Sequence, residues 1–191
     1  MRLKVANAAG RPTLGITLLL ASLSMVSPLS TDTFLPSLPT IAAEFRLTPW
    51  EVQQIITAYM LPFAFFALVH GPLSDALGRR RVVVAGLVLY TIGSLGCFLA
   101  PTFGSLLAFR VLQGMAAGIG PSVSRAVVRD LFEGAAAQKL MSSMVMVFSL
   151  APAIAPVLGG WVHVALGWRW VFGMLVVLGM GLLLACALLF P

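Results

Sequence analysis

Two formally charged residues of this 191-residue chain, Asp32 and Arg110, fall inside or at the edge of long apolar stretches, away from the charged links. A charged group in a bilayer costs at least a few kcal/mol, so it argues for a function. A carboxylate in such a place can bind and release a proton as its surroundings change. A guanidinium does not deprotonate, so Arg110 can only bias Asp32 or attract an anionic substrate group. The plain alternative is that Asp32 caps its helix at headgroup level and Arg110 snorkels. Gln113, one helical turn beyond Arg110, offers a hydrogen bond to a bound molecule.

Two further groups of residues have suggestive spacing. Residues 71–81 carry Gly71, Asp75, Gly78, Arg79 and Arg80 between two apolar runs, which describes a tight charged hairpin. Its acid could accept hydrogen bonds from the N-terminus of a facing helix. Arginines alone would explain orientation in a membrane but not the glycines. Residues 151–161 hold Pro152, Pro156, Gly159 and Gly160. Ala151, Ala155 and Gly159 recur every four residues as a small-residue stripe for close helix contact. Pro152 and Pro156 each remove a backbone donor and soften the helix that carries them.

The elements that must hold these residues are membrane helices. The chain is 60% hydrophobic and 9% charged, against roughly a quarter charged in soluble domains. Uncharged runs cover residues 12–31, 52–74, 82–109, 140–168 and 170–191, and a spanning helix needs about 20 residues. The third run breaks at residues 101–104, where Pro, Thr and Gly cluster. The period-2 alternation of a barrel is absent, which leaves helices. Six are expected, over residues 13–38, 50–72, 82–100, 105–125, 138–162 and 169–190. Counted from the nearer helix end at 1.5 Å per residue, Asp32 and Arg110 both lie roughly 9 Å below the same boundary.

Lysine and arginine placement sets the expected orientation. Arg2, Lys4, Arg11, Arg79, Arg80, Arg81, Arg125, Arg129 and Lys139 fall on one face of a six-helix series, and Arg46 and Arg169 on the other. Both ends are therefore expected in the cytoplasm. The net charge of +6 follows from this topology and gives no reason to expect nucleic-acid binding. The basic start and first apolar run also have the outline of a signal peptide, but the run is long and no small-residue cleavage site precedes Asp32. Cys97 and Cys186 are expected at opposite depths, too far apart for a disulfide, and form no metal motif. Ser122 and His163, the one pair with the outline of a serine hydrolase, would be separated by nearly a whole bilayer, so no enzyme activity is expected. No cofactor is expected either.

The segments Leu-Gly-x-Arg-x-Val at residues 77–82 and 166–171 point to two inverted three-helix repeats. The spacing Gly71, Leu73, Asp75, Gly78, Arg79 resembles the loop between helices 2 and 3 of the major facilitator superfamily, G-x-L-x-D-x-x-G-R-R/K, with Ala76 where a basic residue is common. Residues 110–114 resemble the R-x-x-Q-G pattern of its proton-driven members. Residues 155–160 resemble the antiporter signature G-P-x-x-G-G, with Ala155 in place of the first glycine. Residues 32–39 and 125–132 are similar to D-x-Y-L-P-x-L-P and R-A-x-V-R-D-L-F/Y of the Bcr/CflA drug exporters, with Phe34 in place of the tyrosine.

The resemblance implies the N-terminal six-helix half of a proton-coupled antiporter that exports small amphipathic drugs across the bacterial inner membrane. The C-terminal half, against which the first would rock, is expected to be absent from residues 1–191. Under that implication Asp32 and Arg110 couple protons, and Tyr59, Gln113, Met144 and Phe148 line the substrate path. Gly71, Asp75, Gly78, Arg79 and Arg80 form a gating loop, in which Arg79 pairs with Asp130. The expected partners are drug, protons, lipid bilayer and a second half. A half-transporter fragment without transport of its own, and a metabolite symporter on the same fold, remain the alternatives.

Overall fold

A computed structural model describes residues 13–189. The chain forms helices α1 (Leu14–Asp32), α2 (Leu38–Phe45), α3 (Pro49–Leu77), α4 (Arg79–Leu99), α5 (Phe103–Ala117), α6 (Ile119–Leu131), α7 (Gly134–Leu166) and α8 (Trp168–Leu189), with a single 3-10 turn at Leu35–Ser37 between α1 and α2. They make six segments long and apolar enough to cross a membrane, because α1 with α2, and α5 with α6, each form one span.

The ends of these helices follow local chemistry. Thr48 caps α3 and closes a reciprocal box with Glu51, with Pro49 in the first turn. Thr102 does the same for α5 with Ser105, which places the turn where the proline and glycine cluster predicted it. The first span differs most from expectation. It does not end near residue 38 but breaks at Thr33 and continues to Phe45. Glu44 ties the added helix to distant partners. Trp168 Nε1 donates to it at 2.6 Å and Arg169 Nη1 at 2.7 Å.

The second and third spans also correct the expected hairpin. Helix α3 runs to Leu77, so Gly71 to Leu77 are helical, and Arg79 to Arg81 open α4. The turn is Gly78 alone, at φ 92°, a conformation that suits glycine. Its counterpart between α7 and α8 is Gly167, at φ 95°. Both glycines donate their N–H four residues back, to Ser74 and His163 respectively. They lie at opposite ends of the bundle: Arg80 reaches the Ala187 carbonyl at the end of α8, while Arg169 reaches the Ala100 carbonyl just past α4. One turn geometry at opposite ends is what an inverted repeat requires.

The core lies between α1, α4, α5, α6 and α8. Helices α3 and α7 are the least buried and present long apolar faces outward, with Leu61, Phe65 and Leu68 on one and Val145, Met146 and Val157 on the other. Cys97 and Cys186 are both buried and free.

Candidate transport site

Arg110 is the centre of the most heavily built part of the interior. Its side chain is fully buried. The guanidinium carbon lies 4.2 Å from the ring centre of Phe34, 4.4 Å from that of Tyr59 and 5.9 Å from that of Phe172. Such contacts give about 2 kcal/mol or more each when desolvated. Nη1 donates to the Ser30 carbonyl at 3.1 Å and to Gln113 Oε1 at 2.7 Å, and Nε donates to the Ile55 carbonyl at 3.4 Å. Nη2 has no hydrogen-bond partner among the described residues.

The polar groups continue outward from Arg110. Gln113 donates to Ser94 Oγ at 2.8 Å. Ser30 and Tyr90 share a 2.6 Å hydroxyl contact, and the Tyr59 hydroxyl donates to the Ser27 carbonyl at 3.2 Å. The network thus joins α1, α3, α4 and α5 at one level. Tyr59 and Gln113 are fully buried within it. In this conformation they support Arg110 rather than line an open path.

Asp32 ends α1 on its less buried side, in register with Ser22, Met25 and Leu29. It shares Arg110's level, because Arg110 binds the carbonyl of Ser30 two residues earlier. No ion pair joins the two among the described residues; Arg110 takes aromatic faces and carbonyls instead. The shared level is present, but the depth expected from counting residues is not, because the first span continues past Asp32 to Phe45. Direct contact is absent among the described residues.

Met144 and Phe148 come together with Ser24, Pro121, Arg125, Met141 and Val145 around a mostly apolar cavity of about 110 Å³ between α1, α6 and α7. Ser24 and Arg125 are the polar groups in its wall. Helix α7 approaches α1 through its small-residue stripe: Ala151, Ala155 and Gly159 are buried, while Pro152 is exposed and Pro156 half-buried. At Gly159 the approach is backbone to backbone, since a Cβ there would overlap the Thr33 carbonyl. Gly160 faces open space.

At the turn, Arg79 gathers three partners. It pairs with Asp75, donates to Ser74 Oγ, and reaches Asp130 Oδ2 at 3.1 Å. Ser74 Oγ in turn donates to the Gly71 carbonyl at 2.8 Å. The motif therefore ties α3 and α4 to the end of α6.

Sequence reasoning missed Phe34, Phe172, Ser30, Ser94 and Tyr90 as neighbours of Arg110, and Ser24 and Arg125 as cavity wall. The hydroxyls Ser24, Ser27 and Thr31, three or four residues apart, mark one face of α1 and would have signalled its polar side. Nothing local signals Phe172, which lies 62 positions from Arg110.

The Major Facilitator Superfamily model matches residues 20–191. The chain belongs to this superfamily of membrane transporters. It is 36% identical over 184 residues to the uncharacterized MFS-type transporter YdgK of Bacillus subtilis, covering 95% of this chain and 46% of that protein. It is 34% identical to a bicyclomycin resistance protein homolog of Haemophilus influenzae, covering 91% of this chain and 43% of that one. It is 32% identical to a chloramphenicol resistance protein of Pseudomonas aeruginosa, covering 95% of this chain and 43% of that one. The chain spans less than half the length of these relatives.

Proposed function

We propose that residues 1–191 are the N-terminal half of a proton-coupled exporter of small amphipathic drugs in the bacterial inner membrane, with both ends of the half in the cytoplasm. The observation that carries this reading is the fully buried Arg110 in its aromatic cage, level with a half-buried Asp32. A cation kept at such cost marks a pathway, and the acid at its level supplies a proton site. The relatives named for bicyclomycin and chloramphenicol resistance support drugs as the cargo.

In this mechanism Asp32 and Arg110 act without an ion pair. A proton on Asp32 neutralises the carboxylate. Loss of the proton creates an anion at the level of the caged guanidinium, whose free Nη2 can turn toward it. A polar drug that prefers the ionised carboxylate expels the proton, which gives exchange. Met144 and Phe148 offer apolar surface, with Tyr59 and Gln113 becoming accessible as α1 and α3 move. Helix α7 moves against α1 along the Ala151–Ala155–Gly159 stripe. Asp75 meets the second half, and the Arg79–Asp130 contact holds the turn for it.

The test is drug-induced proton release in proteoliposomes that hold this half joined to its second half, with chloramphenicol as the probe. Proton release should disappear with Asp32→Asn while the protein stays inserted. Proton release at the parent level in Asp32→Asn would place the proton site elsewhere and overturn this role for Asp32.

A further inference from the structure

The flank of the bundle formed by α3 and α4 carries a cavity of about 380 Å³ that the transport reading does not use. Phe66, Leu73 and Leu77 of α3 and Ala85 and Leu89 of α4 contribute to its wall, with Met115 and Ile119 behind. From Phe66 to Leu77 the groove runs about 16 Å along the helix axis. That is close to one leaflet, half of the roughly 30 Å hydrocarbon core.

Two polar residues line this groove. His70 is 3% exposed, with Nδ1 packed against Gly118. Arg81 stands at the mouth, on the basic end of the bundle. It follows Arg79 and Arg80, whose guanidinium groups are engaged by Asp75, Asp130 and the Ala187 carbonyl. Among the described residues Arg81 has no hydrogen-bond or ion-pair partner, and its side chain is exposed.

We propose that this groove is a binding site for an anionic phospholipid of the leaflet at the basic end. One acyl chain would lie along α3 and α4, and the headgroup phosphate would sit on Arg81. The charge argues for a lipid rather than a protein helix, because an apolar helix in the groove would leave the guanidinium without an anion. Helical geometry argues the same way. At 100° per residue, Asp75, Leu68 and Leu61 fall on the side of α3 opposite Phe66, His70, Leu73 and Leu77. The face proposed to meet a second half therefore points away from the groove.

The purified full chain, in detergent, is incubated with equal amounts of phosphatidylglycerol and phosphatidylcholine of matched acyl chains, and bound lipid is counted by native mass spectrometry. Phosphatidylglycerol should be retained about fivefold more, the effect of one arginine near an anionic headgroup. Arg81→Gln should remove that preference. Ala85→Trp, at an exposed position in the groove, should reduce retention of both lipids, and it decides the matter if Arg81→Gln fails to fold. Arg129→Gln, another exposed arginine, should change nothing. Equal retention of the two lipids, preference surviving Arg81→Gln, full retention in Ala85→Trp, or loss of preference in Arg129→Gln would each overturn the site.

Discussion

Arg79 Nε lies 3.1 Å from Asp130 Oδ2, joining the first turn of α4 to the end of α6 across 51 positions of sequence. The same guanidinium pairs with Asp75 one turn back in α3. Both acids are more than half exposed in their side chains, and exposed pairs contribute about 0.2–1 kcal/mol. The cluster therefore sets the position of the turn more than it sets stability. A double-mutant cycle with Arg79→Gln and Asp130→Asn, followed by denaturant unfolding, should give a coupling of that size. A coupling well above about 1 kcal/mol would make the cluster a stability element.

Thr48 and Ala76 lie at opposite ends of α3 and both are exposed. If the basic end is cytoplasmic, a cysteine at Thr48 reacts with an impermeant thiol reagent outside intact cells, and one at Ala76 does not. The native Cys97 and Cys186 are buried and should stay silent. Labelling of Ala76→Cys and protection of Thr48→Cys would reverse the orientation.

Gly159 and Gly160 are neighbours with opposite demands. At Gly159 a Cβ would overlap a main-chain oxygen of Thr33, which cannot swing aside as a side chain can. Gly159→Val should destabilise the bundle by about 1–3 kcal/mol, the usual cost of overpacking. Gly160→Ala meets open space and should stay within about 0.5 kcal/mol. Thermal unfolding in detergent measures both. Equal effects would mean that α7 and α1 are not held at the distance described.

Six spans and the repeat were legible because each rests on a local signal, apolar length or a Gly turn. The pairing of Arg79 with Asp130, 51 positions apart, was legible only through the family resemblance. The extension of the first span to Phe45 was not legible. The uncharged run that marks the first span stops at residue 31, and the partners that hold Glu44 come from residues 168 and 169. The hairpin was misplaced for a similar reason. Gly71 opens the motif, yet the helix runs on through it and Pro72, and only Gly78 leaves it. At the site, one-turn spacing placed Gln113 beside Arg110 but gave its hydrogen bond to a bound molecule, whereas Gln113 accepts from Arg110 itself. The count that set the depth of Asp32 started from a helix end that lies at Phe45 instead. The cage was invisible, because Phe34 and Phe172 arrive through tertiary packing.

The cage allows a test that separates function from structure. A buried cation is a poor stabiliser, since its desolvation offsets what its partners contribute, and apolar replacement of buried ionic groups is often neutral or stabilising by about 1–4 kcal/mol. Methionine is flexible enough to fill the space between Phe34, Tyr59 and Phe172. Arg110→Met should therefore leave unfolding stability unchanged or raised, although Gln113 loses its 2.7 Å donor. Transport by a protein containing this half should be lost, because the guanidinium at the level of Asp32 is gone. Stability measured on the purified chain and proton release measured in proteoliposomes give the two readings independently. A loss of several kcal/mol in Arg110→Met would make Arg110 a structural cation, and retained transport would remove it from the coupling mechanism.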